Sequence, residues 1–354
     1  MRLSGIPSSD TIPAGNAIPS SIAIPSRVAV PYHVRVERRG LRPFLKWVGG
    51  KRQLLPVLRR FYPREPGAYF EPFVGSGAVF FDLLGRGALD GGRVVLSDDN
   101  ADLIGCYLRI SDSLEAVVAE LEQLAAGHAA DGRDCYLRVR DTRFNPMRAE
   151  WRATGGHARD YSSELAAMLI YLNRTGYNGL FRLNSTGEYN VPPGRYERPR
   201  IVDAALLQLA SRALTAPGVA VRQTPYDCAV VEAAAGDFVY FDPPYSPLSA
   251  TANFRGYTAR GFGEDDQQRL QATLITLADR GVHVLLSNST APAVIRLYEN
   301  NPAALKAGLR SWRFPARRAV NSRADRRGVV EELVVSNVSP ETAGKAARGE
   351  RLRA

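Results

Sequence analysis

The 354-residue chain is poor in the side chains that hold metals and disulfides. Its three cysteines, Cys106, Cys135 and Cys228, are odd in number, far apart and never arranged as CxxC. They read as reduced thiols of a cytosolic protein, not as a disulfide framework. Its four histidines, His33, His128, His157 and His283, form no HxxxH or HExxH pair, so neither a structural nor a catalytic zinc is expected. No apolar run is long enough to span a bilayer. Proline interrupts every apolar pair near the start, so no signal-peptide core forms there. GxxxxGK followed by Ser or Thr is absent, which disfavours a nucleotide triphosphatase, and so is a full GxGxxG. Acid is also in deficit: Lys and Arg outnumber Asp and Glu by 46 to 36, a net charge of +10. A basic surface of that kind attracts phosphate backbones or anionic lipid.

What is present alternates. Residues 1–40 repeat Ile-Pro and Ser without a helical or strand period, and are expected to be a disordered leader. The Ala, Arg, Lys and Gly tail, 339–354, is expected to be disordered too. Between them "AYFEPFV" (68–74), "RVVLSD" (93–98), "VAVR" (219–222), "DFVYF" (237–241) and "VHVLLS" (282–287) read as strands. Helical stretches such as "NADLIGCYLRI", "DAALLQLASRAL" and "EDDQQRLQATLITLADRG" separate them. "LRSWRFP" and "VVEELVVSN" close the pattern as a hairpin. The alternation predicts an α/β fold, Rossmann-like, with a mostly parallel sheet covered on both faces and a final antiparallel hairpin. One half of the core falls at 41–112 and the other at 201–338. The long helical stretch 113–200, weak in strand signal, reads as an inserted domain.

Two stretches carry chemistry. In "EPFVGSGAVF" a strand, a glycine turn and a helix start follow one another. Gly75 and Gly77 allow close backbone approach to a ligand that faces the helix N-terminus. The next strand ends in Asp98, suited to ribose hydroxyls. This half alone does not separate NAD from S-adenosylmethionine. In "FDPPY" (241–245) a buried strand runs into Asp242, Pro243, Pro244 and Tyr245. The prolines lack N–H donors and have fixed φ, so their carbonyls are held stiffly. The set offers a carboxylate acceptor, a rigid carbonyl acceptor and a stacking ring. Two acceptors drawing on both N–H bonds of a conjugated amine favour a pyramidal nitrogen, open to in-line attack on a methyl sulfonium. A base in duplex DNA reaches such a pocket only when flipped out.

Together with "FLKWVGGKRQLLP", "LSDDNADLI", "YLNRTGYNGLFRLNSTGEYNVPPGRY", "LLSNST" and "EELVVSN", these blocks resemble the Dam-like, D12-class family of DNA adenine N6-methyltransferases from Phe44 to Asn337. The resemblance implies transfer of a methyl group from S-adenosyl-L-methionine, leaving S-adenosyl-L-homocysteine, to N6 of an adenine in double-stranded DNA. Trp47 and Lys51 would hold the methionine end of that cofactor, with Phe73, Gly75 and Gly77 lining it and Asp98 on the ribose. Asp242 and the Pro243 carbonyl would orient the amine, and Tyr245 would stack on the base. The insertion, 113–200, would be the target-recognition domain. Within it Arg182 suits guanine, Leu180 and Pro192 suit a thymine methyl, and Tyr177 and Asn178 suit the gap left by a flipped base. Lys46 would touch a guanine at the other end of the site, and Arg195 joins these DNA contacts. Matching residue types in family members that modify GATC predict that site. Thr175 and Pro193 replace aromatics common in the family. Residues 310–327 carry seven arginines against the single acid Asp325. With Arg317 and Arg318 they read as a phosphate clamp on a loop between two strands. The resemblance implies a cytoplasmic, nucleoid-associated monomer of bacterial or phage origin. Cytosine-N4 or RNA-adenine methylation, and a non-catalytic DNA-binding relative, are the alternatives.

Overall fold

The structure is a computed structural model and describes residues 38–245, 262–317 and 329–340. The side chains of 316, 317, 329 and 330 are outside that description. The expected disordered leader lies outside it up to residue 37, as do the expected tail from residue 341 and the arginine-rich loop from Arg318 onward.

Among the described residues seven strands pair into one sheet. They are β1 (Tyr69–Glu71), β2 (Val94–Asp98), β3 (Val219–Gln223), β4 (Phe238–Phe241), β5 (His283–Ser289), β6 (Arg310–Arg317) and β7 (Val329–Ser336). Their order is β3-β2-β1-β4-β5-β7-β6. The first five strands run parallel to one another, and β7 runs antiparallel to both β5 and β6. Every residue of β1 and β4 is buried, as expected of central strands covered on two faces. Alternation sorts their side chains. Tyr69, Val94, Phe238, Tyr240 and Leu285 join one apolar cluster, and Phe70, Val95, Val239, Phe241 and Leu286 the other.

β1 is shorter than the expected 68–74 because Pro72 supplies no ladder N–H. The chain turns there, and the Val74 N–H bonds the Ser97 carbonyl at 2.9 Å. The hairpin is as expected, but its first strand holds more of the basic cluster than the sequence suggested. Arg310 and Arg313 lie on β6, not in a loop. Arg313 is bidentate to Glu299 at 2.7 and 2.7 Å, and Arg310 donates to the Leu305 and Leu309 carbonyls at 3.1 and 2.8 Å.

Helices α1 (Leu55–Leu58), α2 (Ala78–Gly85), α3 (Ala101–Asp112), α4 (Leu114–Arg138), α5 (Asn145–Ala153), α6 (Ser163–Thr175) and α7 (Ala204–Leu214) precede β3 in the chain. Helix α8 (Tyr226–Ala229) leads to β4, α9 (Glu264–Asp279) joins β4 to β5, and α10 (Pro292–Tyr298) and α11 (Pro302–Lys306) lead to β6. Asn100, Ser162 and Asp203 cap α3, α6 and α7 by accepting the N–H of Leu103, Leu165 and Leu206. Between α6 and α7 the chain folds back on itself through the bridges Gly176 to Pro193 and Leu183 to Tyr189. Among the described residues no helix is long and apolar enough to cross a membrane.

Candidate active site

Asp242 follows the last residue of β4, at the C-terminal edge where open parallel sheets bind ligands. Lys51 Nζ lies 2.7 Å from its Oδ1. The Ser287 hydroxyl, from β5, is 3.3 Å from the same oxygen and 2.8 Å from the Tyr240 hydroxyl. Burial pushes the Asp242 carboxyl up to about 6, against the pull of Lys51. Tyr245 donates its hydroxyl to Glu332 Oε2 of β7 at 3.0 Å, which anchors the far end of its ring. Lys51 Nζ stands 4.6 Å from the centre of that ring. Gln267 of α9 donates to the Pro244 carbonyl at 3.3 Å and accepts from Asn288 at 2.9 Å. Pro244 is therefore committed to α9, and Pro243 carries the remaining carbonyl of the pair. Glu71, at the end of β1, accepts from the Tyr69 hydroxyl at 2.8 Å and the Phe80 N–H at 3.0 Å. Burial, reinforced by the Asp242 charge, raises it to about 8, so it holds a proton at neutral pH.

The glycine turn lies at the edge of the neighbouring strands. Gly75 and Gly77 have φ of 47° and 67°, the left-handed region. A Cβ on Gly75 would stand 3.0 Å from the Trp47 indole. The Asp98 carboxylate accepts the Gly75 and Asn100 N–H groups at 3.3 and 3.0 Å, and burial lifts it to about 6 against those bonds. Tyr107 donates to the Gly75 carbonyl at 3.1 Å. Phe73 stacks on Tyr226 at 5.2 Å and meets Phe262 edge-on at 5.9 Å, an apolar wall beside the turn.

A third group lies at the fold-back after α6. Tyr177 and Asn178 are exposed, and Asn178 takes a left-handed φ of 54°. The Tyr177 N–H bonds the Pro192 carbonyl at 2.9 Å. Arg182 is exposed, its guanidinium held by the Asn190 side chain at 2.7 Å and the Asn190 carbonyl at 3.1 Å. Leu180 is half-buried, while Pro192 and Arg195 are exposed. Lys46 is exposed, its ammonium 4.3 Å from the Tyr196 ring centre. The fold-back is held from below. Tyr136 and Arg140 each donate to the Val191 carbonyl at 2.9 Å. Asn145 pairs with both main-chain groups of Tyr189. Arg148 is bidentate to Asp102 at 2.7 and 2.8 Å and donates to the Gly187 carbonyl.

A family model described as D12 class N6 adenine-specific DNA methyltransferase matches residues 47–311. The chain belongs to that family. It is 37% identical over 301 residues to the type II methyltransferase M1.LlaDCHI of Lactococcus lactis subsp. cremoris, covering 84% of this chain and 95% of that one. It is 35% identical over 306 residues to the type II methyltransferase M.MjaIII of Methanocaldococcus jannaschii, covering 84% and 99%. The DNA adenine methylase of Escherichia coli K12 is 33% identical over 293 residues, covering 83% and 94%.

In this D12-class methyltransferase the residues singled out from the sequence fall into three groups. Lys51, Asp242 and Tyr245 are linked by the contacts above, as are Trp47, Gly75 and Asp98, with Phe73 and Gly77 on the same turn as Gly75. Lys46, Tyr177, Asn178, Leu180, Arg182 and Pro192 gather at the fold-back. Arg195 shares that segment and is exposed. The Arg317 side chain and all of Arg318 are outside the described residues. Gln267, Asn288, Ser287, Glu332 and Tyr107 went unnoticed in the sequence. Their only local sign is polar residues in apolar surroundings, such as Ser287 and Asn288 in "LLSNST". Among the described residues no cluster of three or more His, Cys, Asp or Glu could hold a metal.

Proposed function

We propose that this D12-class chain transfers a methyl group from S-adenosyl-L-methionine to N6 of an adenine flipped out of duplex DNA, with GATC as its site. The observation that carries this reading is the Asp242 carboxylate at the end of β4, held by Lys51 and Ser287 beside the Tyr245 ring. Lys51 connects that seat to the glycine turn through the segment that carries Trp47.

The residues at the turn fit the proposed cofactor. Gly75 packs closely on the Trp47 indole: a Cβ there would stand 3.0 Å from it and require the ring to give way. The Asp98 carboxylate accepts the Gly75 and Asn100 N–H groups with a further backbone bond from Asp99, and keeps acceptor capacity for a ribose hydroxyl. When bound, S-adenosyl-L-methionine supplies an electrophilic methyl group. The protein supplies position and charge. Ionised Asp242 accepts one N–H of the adenine amine and the Pro243 carbonyl accepts the other, which localises on nitrogen the lone pair otherwise delocalised into the ring; the proton shed when the nitrogen is methylated passes to Asp242 and on to solvent. Tyr245, latched by Glu332, stacks on the base, and Lys51 keeps Asp242 ionised above a pH of about 6. Flipping costs a few kcal/mol or so. Tyr177 and Asn178 fill the vacated stack, Arg182 and Lys46 read the two guanines, and Leu180 and Pro192 meet the thymine methyl. Segment 113–200 is on this reading the target-recognition domain. Arg195, Arg317 and Arg318 contact the backbone.

The test is methyl incorporation from labelled S-adenosyl-L-methionine into GATC duplexes, single-base variants of that site, an adenine-free duplex and RNA. Label is expected in GATC duplexes alone. Asp242→Ala is expected to abolish incorporation while DNA binding persists. Label in the adenine-free duplex or in RNA would assign another substrate class. Binding without label from the unaltered protein would leave a non-catalytic relative. Incorporation by Asp242→Ala at near the parent rate would remove the assigned role.

A further inference from the structure

The segment 46–51 has one end at the fold-back and the other in the catalytic seat. At the far end Lys51 meets Asp242 at 2.7 Å. At the near end Lys46 is gripped by Asn173, the buried third-last residue of α6. The Asn173 side-chain oxygen accepts the Lys46 N–H at 2.9 Å, and its amide donates to the Lys46 carbonyl at 2.7 Å and to the Gly179 carbonyl at 3.0 Å. A side-chain amide has two donor hydrogens and one acceptor oxygen with two lone pairs, and here both hydrogens and the oxygen are engaged. Asn173 thus pairs with the Lys46 main chain as a neighbouring strand would, while the Lys46 ammonium lies at the surface over the Tyr196 ring.

The second partner of that amide lies in the loop 177–182. Gly179 has a left-handed φ of 64°, and a Cβ there would stand 2.4 Å from the Lys46 Cβ. The two chains therefore touch where a side chain cannot intervene. One residue on from Lys46 and two on from Gly179 lies a second joint: Trp47 stacks on Phe181 at 5.7 Å and 24°. Phe181 precedes Arg182, and Trp47 covers Gly75. A residue serving only to satisfy a buried loop would have no reason to join two segments that carry exposed polar side chains on the same surface.

We propose that Asn173 is a specificity-positioning residue: it sets the guanine discrimination exerted through Lys46 by locking the Lys46 main chain to the 177–182 loop. This rests on the reading above that Lys46 contacts a guanine of the target site. Because the same segment ends at Lys51, misplacing Lys46 alters kcat on a wrong site as well as its binding.

The experiment is a double-mutant cycle of Lys46→Ala and Asn173→Ser, read as the ratio of kcat/KM on GATC to that on duplexes altered at each position, with kcat and KM taken separately. Lys46→Ala is expected to lower discrimination at one guanine by roughly 10- to 100-fold. Asn173→Ser is expected to lower it at that guanine and at no other. In the Lys46→Ala background it should change that discrimination no further, because the two act as one unit. Additive effects, or an equal loss of rate on every duplex, would overturn the inference. Unchanged discrimination in Lys46→Ala alone would instead show that Lys46 reads no base, and the inference would fall with that reading. Folding is checked by thermal melting and methyl-donor binding. If Asn173→Ser does not fold, Gly179→Ala drives a methyl group into the same junction, with the same expected and overturning results.

Discussion

Replacing Lys51 by methionine removes the cation that opposes the burial of Asp242 while keeping most of the side-chain volume. Lys51 is 4% exposed and the Asp242 side chain 20%, so solvent does little to replace the lost charge. With Lys51 present the carboxyl titrates at about 6. An opposite charge at this range lowers a carboxylate by roughly one to three units. Without it the group would titrate between roughly 7 and 9. The mechanism needs the ionised form, so activity is present above that value and lost as pH falls through it. At pH 7 the ionised fraction drops from about nine-tenths to between about one-half and one-hundredth. The assay is kcat/KM for the GATC duplex from pH 5 to 9.5. It is run at saturating methyl donor, so that weakened donor binding does not enter, and it reports groups on the enzyme before DNA binds. The acid limb should move upward by one unit or more in Lys51→Met, with activity recovered at high pH. Lys51→Arg, which keeps the charge, should leave the limb in place. An unmoved limb in Lys51→Met, or equal shifts in both variants, would refute the reasoning.

Three further outcomes are expected. Gly75→Ala places a methyl group 3.0 Å from Trp47 and forces a left-handed conformation that costs roughly 1–2 kcal/mol; calorimetry should show weaker methyl-donor binding, with DNA binding in the absence of donor retained. Arg182→Ala should relax selection at one guanine by roughly 1–3 kcal/mol in competition between duplexes and leave the other positions alone. Glu71 titrates at about 8 in the folded protein against an ordinary 4.5, so its contribution to stability is full below 4.5 and is lost as pH rises through 8. Urea midpoints should fall across that window. Glu71→Gln keeps an acceptor for Tyr69 and Phe80 without the titration, and should flatten the fall.

The parallel order of the sheet was legible because buried strands and amphipathic helices alternate with recognisable periods. The seat at Asp242 was legible because its carboxylate, prolines and ring are contiguous. What escaped notice comes from distant elements. Gln267 reaches Pro244 from α9, Glu332 reaches Tyr245 from β7, and Asn173 reaches Lys46 from α6. Each is an ordinary polar residue until tertiary packing gives it a partner. Arg310 and Arg313 misled for the opposite reason. Their charge read as a free patch, whereas the strand they sit on brings Glu299 and two carbonyls to them. Pro72 shortened β1 by a rule visible in the sequence, outweighed there by the apolar run around it.

The strand that latches Tyr245 is also the last made of the described strands. Glu332 is synthesised 87 positions after the tyrosine it holds, and its strand is the wedge between β5 and β6. A nascent chain still short of that wedge has its glycine bend and its carboxylate but an untethered platform and an unjoined sheet. On the proposed function, methylation competence therefore arrives late in translation, and truncated products that still touched DNA would do so without modifying it.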